Sequence, residues 1–211
     1  MIGTIGSLVQ ETTHRFRWLL ATSLYTLACL ATAALLGLLL GALGHALRSA
    51  LMGAGLAAPF PHAGTWLVSA LGLAYAASDL GLFALPRPIL LPAVPLSWWR
   101  HFQPYGAAVA YGAALGLGVT TRVWFGSFYV LCAWCALKGD PLYAALLMGT
   151  FGALRALVMF PASWGLACHR SDVVGWLSGP LFDLARAQRI VAVALSAFAT
   201  LTLILALAPA R

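Results

Sequence analysis

The sequence predicts an all-α protein: a polytopic membrane helix bundle of about five spans, six if a re-entrant or interfacial segment is counted, with no soluble domain. Of its 211 residues, 62% are hydrophobic and only 8% charged. So much apolar surface cannot be hidden in one soluble core behind a polar exterior. The apolar residues also gather in stretches of about 20, the length that crosses a bilayer. The formal net charge of +7 comes largely from basic groups flanking those stretches, as in cytoplasmic membrane loops. Nucleic acid is excluded as a partner on the same ground, and membrane lipid is expected.

The spans fall near 18–47, 64–85, 104–137, 142–160 and 190–207, within one membrane domain covering 1–211. The first follows Arg15 and Arg17 and is far longer than the roughly 7–15 apolar residues of a signal peptide, so it reads as a retained span. Before it, Ile2, Ile5, Val9 and Phe16 recur at helical spacing, which fits either an interfacial helix or a frayed terminus. Ser49 to Ala63 is short and carries Pro59 and Pro61, as a re-entrant or interfacial segment would. Pro86 to Trp99 is proline-rich and ends in Trp98 and Trp99, an interfacial connection.

The third stretch would be roughly 50 Å long as one helix, against a core of about 30 Å. Charge decides how many times it crosses. With one crossing, Arg15, Arg17, Arg87, Arg100, Arg170, Arg186 and Arg189 share a side, and Arg48, Lys138 and Arg211 lie opposite. That bias is strongly positive-inside, so a single crossing with an irregular start is preferred. The protein is then a multi-pass cell-membrane protein with a cytoplasmic N-terminus and an external C-terminus. The connection over 163–188 is the most polar segment, with His169, Arg170, Asp172, Asp183 and Arg186. It reads either as a solvated loop or as a docking surface for a cytoplasmic protein.

Asp79, Arg122 and Arg155 lie inside apolar stretches, where an ionisable group costs roughly 3 kcal/mol or more and usually faces a partner or a watery cavity. Counting about 1.5 Å per residue from the nearest interface puts all three in the cytoplasmic third of the membrane. Either they share a site, or the arginines snorkel to the headgroups. Asp79 is too short to snorkel. Arg122 closes the run YGAALGLGVTTRV from Tyr111 to Val123, whose glycines and paired threonines, Thr120 and Thr121, predict a broken helix. Such breaks hold anions in transporters, and tight packing through small residues is the alternative. Gly37, Gly41 and Gly44 carry the packing reading alone.

Cys29, Cys132, Cys135 and Cys168 do not form a secreted disulfide framework. Cys132 and Cys135 make a CxxC on one helix face, able to exchange thiols or bind a soft metal, or simply to pack as small apolar residues. His45 and His62 flank the loop on the same side and could complete a metal site, although ordinary interfacial roles are commoner. No P-loop, GxSxG or HExxH signature occurs, so soluble-style catalysis has no apparatus. No cofactor is identified.

The stretch Tyr105 to Phe160, with YGAALGLGVTTRV, the span around Cys132 and the run GTFGALRAL, resembles small multi-pass proteins of the CcdA/DsbD-type transmembrane family. The resemblance implies a compact bundle of inverted three-helix repeats and thiol-based transfer of reducing equivalents, or solute transport in related branches. Three functions follow as expectations. The first is a conduit for a small anionic solute through Asp79, Arg122 and Arg155 with Thr120 and Thr121. The second is thiol-disulfide transfer through Cys132 and Cys135 with Cys29. The third is a noncatalytic subunit packed against partner membrane chains.

Overall fold

A computed structural model describes residues 15–55, 63–83, 85, 104–118, 126–157 and 184–207. These residues form six helices in chain order: α1 (Arg15–Gly53), α2 (Ala63–Asp79), α3 (Pro104–Leu117), α4 (Ser127–Lys138), α5 (Pro141–Leu157) and α6 (Leu184–Leu207). No strand occurs among the described residues, as the all-α expectation requires. Apolar helix-forming sequence explains the elements, and glycine explains most of their ends.

The Pro104–Leu137 stretch is broken, as the glycine-rich run from Tyr111 to Val123 predicts. α3 stops at Leu117, Gly118 turns left-handed at φ 66°, and a new helix begins at Ser127. α2 ends at Asp79, short of the expected Leu85, because Gly81 takes φ 84° and closes a Schellman cap. Its two bonds run from Leu82 N–H to the Ala77 carbonyl and from Gly81 N–H to the Ser78 carbonyl, at 3.0 and 3.1 Å. In contrast, α1 outruns its expected end at Leu47 and reaches Gly53, taking in the start of the Ser49–Ala63 segment. The N-terminal amphipathic pattern, the proline-rich connection and the polar connection up to residue 183 lie outside the described residues.

Two compact units divide the chain. The first comprises Met1–Leu36, Ile89–Arg122 and Ala145–Phe182. Within it the N-terminal part of α1 packs against α3 and α5 at backbone distance. A Cβ at Gly116 would strike the Cys29 carbonyl and the Thr32 hydroxyl, and one at Gly152 would lie 2.6 Å from the Ala33 Cβ. Buried Cys29, Leu115 and Ala156 form its core beside Tyr25.

The second unit comprises Gly37–Pro88, Val123–Ala144 and Asp183–Arg211. Here α2 packs against both α6 and α4. Val68, Tyr75, Ala76, Val130 and Leu195 form the core, with Tyr75 stacked on Tyr129 at 5.4 Å between ring centroids. Gly41 and Gly44 of α1 meet the backbone at Asp140 and Ala136, which is the close packing their spacing implied.

Candidate functional site

Asp79 occupies the last position of α2, in the second unit. It is buried, and its carboxylate accepts a hydrogen bond from the Gly126 N–H at 3.0 Å. Gly126 is the N-cap of α4 and has no side chain to satisfy the amides of that helix start. A carboxylate from the neighbouring helix therefore supplies the anion that a helix N-terminus favours. The approach is close, since a Cβ on Gly126 would lie 2.5 Å from that of Tyr75. Ser78, one residue back, accepts from the Leu85 N–H at 3.2 Å and ties down the exit of α2.

Arg155 lies in the last turn of α5, in the first unit, and is partly buried. Its guanidinium is within electrostatic reach of the Cys29 thiol and the Tyr25 hydroxyl, both on α1. The Cys29 thiol itself donates to the Gly152 carbonyl, one turn back on α5, at 3.4 Å. Arg155 on α5 thus shares an electrostatic neighbourhood with Tyr25 and Cys29 on α1. Tyr25 and Gly152 were not singled out from sequence, and their signal, a tyrosine four residues from Cys29 and a glycine three from Arg155, is legible only once the helices are paired.

Of the expected anionic-solute site, Asp79 and Arg155 belong to different units, and each has interactions inside its own. Arg122, Thr120 and Thr121 lie outside the described residues, as do Cys168 and His62. Cys132 at the middle of α4 and Cys135 one turn from its end are free thiols, Cys135 fully buried and Cys132 partly so. The backbone carbonyl of Cys135 accepts the capping N–H of Gly139 at 3.3 Å, which places this cysteine at the C-terminal end of the helix and not at the N-terminus, where the dipole activates thiols. No group of three or more His, Cys, Asp or Glu with metal-binding placement occurs among the described residues.

A second buried polar contact was invisible to sequence reading. Ser69 on α2 and Thr202 on α6 share a hydrogen bond of 2.8 Å, in which one hydroxyl donates to the other and the accepting hydroxyl is left to donate to a carbonyl of its own helix. Such contacts satisfy hydroxyls locally and lock helix register.

Among the described residues the fold is thus all-helical, and one helix, α1, is long and apolar enough over Leu19–Gly53 to cross a membrane. The chain is similar to the methylamine utilization protein MauF of Paracoccus versutus, with 31% identity over 140 residues. That match takes in 66% of this chain and 48% of MauF, so the chain spans about half the length of that relative. No protein-family model matches the sequence, and no solved structure matches it.

Proposed function

We propose that this chain is a multi-pass membrane accessory protein serving methylamine utilization, a noncatalytic component rather than a transporter or a thiol oxidoreductase. The observation that carries the reading is the 140-residue similarity to MauF. The geometry is consistent with it. The Asp79 carboxylate serves the start of α4 and the Cys29 thiol bonds a carbonyl within its own unit, so these two groups have structural partners.

The test is a graft. A Paracoccus versutus strain lacking MauF receives a MauF in which the matched segment is replaced by the corresponding 140 residues of this chain. Growth on methylamine is expected to return, whereas a membrane-inserted graft that supports no growth would overturn the reading. The Asp79→Asn graft distinguishes a conduit: loss of growth with normal protein levels would favour a site at Asp79 over an accessory role.

A further inference from the structure

We propose that the corner where α4 turns into α5 is a binding site for the headgroup of an anionic phospholipid. It rests on the membrane reading above but concerns a different part of the molecule from Asp79 and the cysteines. The turn is very short. Gly139 stands left-handed at φ 65° and Asp140 follows it, so that α4 ends at Lys138 and α5 starts at Pro141.

Three basic residues gather on that corner, all within the second unit. Lys138 is the last residue of α4. Arg48 reaches over from α1 and donates from its guanidinium to the Leu137 carbonyl at 3.0 Å. His45 packs its backbone beside Gly139, where an added Cβ would lie 3.3 Å from the His45 nitrogen. The side chains of all three are exposed. Neither Arg48 nor Lys138 forms an ion pair with a described residue. The nearby carboxylate is already used: Asp140 accepts from the Leu142 and Tyr143 amides at 3.0 and 3.1 Å, where the N-terminus of α5 offsets its charge.

Aromatic groups mark the depth. Lys138 Nζ sits 5.7 Å from the centre of the Trp134 ring, and the Trp134 indole N–H points to the Tyr143 hydroxyl at 3.5 Å. Trp and Tyr favour the headgroup level, and Lys and Arg on helix ends turn toward lipid phosphates. Leu43 and Leu142 are exposed at the same corner, as apolar surface for acyl chains. Cations at headgroup height above apolar side chains complement an anionic lipid better than a free phosphate, which would have no use for the leucines.

Native mass spectrometry of the full chain in detergent tests the site, with phosphatidylglycerol and phosphatidylcholine titrated separately. Wild type should bind phosphatidylglycerol in preference. Each cation is expected to contribute roughly five-fold in affinity, so Lys138→Gln should weaken binding about that much and Arg48→Gln/Lys138→Gln should abolish the preference. Lys138→Gln leaves the Arg48–Leu137 bond intact and keeps the test valid if the double variant misfolds. Arg189→Gln, which removes an exposed charge on α6, should change nothing. Equal loss in Arg189→Gln, or an undiminished preference in Lys138→Gln, overturns the proposal. So does displacement of the lipid by millimolar inorganic phosphate, which would make the site one for free anions. Alkaline carbonate extraction separates the two readings: release of the protein removes the membrane reading and the lipid site together, while retention without lipid preference removes the lipid site alone.

Discussion

At the scale of single residues, an ionisable group in apolar sequence announces that it needs a partner but not which one. Asp79 was legible as such a group, because a short carboxylate cannot snorkel out of hydrocarbon. Its bond to Gly126 was not legible, since the two residues are far apart in sequence and an amide N–H belongs to every residue type but proline. The bond makes a prediction that separates capping from charge pairing. Asp79→Ala should cost about 1–3 kcal/mol by stranding a buried amide. Asp79→Asn keeps an acceptor and should cost about 1 kcal/mol or less, the contribution of charge at a helix start. Thermal unfolding in detergent gives the order, and an asparagine variant as damaged as the alanine one would mean that charge itself is what the site requires.

At the scale of elements, glycines set the boundaries. The run around Gly116 and Gly118 read as a break, and α3 does stop there, because a left-handed residue cannot continue a right-handed helix. The α4–α5 turn carries an equally clear signature in Lys138, Gly139, Asp140 and Pro141: a cation in the last turn, a glycine cap, an N-cap acid and a proline at the first helical position. Two glycines should therefore answer the same substitution with opposite signs. Gly139→Ala places a Cβ at φ 65° and should destabilise by about 1–2 kcal/mol. Gly53→Ala, with open space around it and no such φ, should be neutral or stabilise by up to about 1 kcal/mol. Unfolding midpoints of the two variants check the contrast, and matching signs would remove the capping argument.

At the scale of the whole molecule, composition governs the environment and tertiary structure governs the roles. α1 alone runs 39 residues, about 58 Å, roughly twice the hydrocarbon thickness, and exposes Leu27, Leu39, Leu43, Leu47 and Met52. The accessory reading predicts that a MauF graft carrying alanine at every cysteine of the grafted segment still supports growth on methylamine; a membrane-inserted graft that fails, with the individual replacements mapping the loss to Cys132 or Cys135, would restore the thiol-transfer reading. The sequence by itself determined the all-helical class, the apolar character of the helices and the break after Leu117, because hydropathy and glycine act over a few residues of chain. Only the tertiary structure decided that Asp79 serves the start of α4, that Arg155 comes within electrostatic reach of Tyr25 and Cys29, and that Ser69 meets Thr202. Those choices depend on which helix faces which, and helix pairing rests on shape at small residues, a property that no single segment carries.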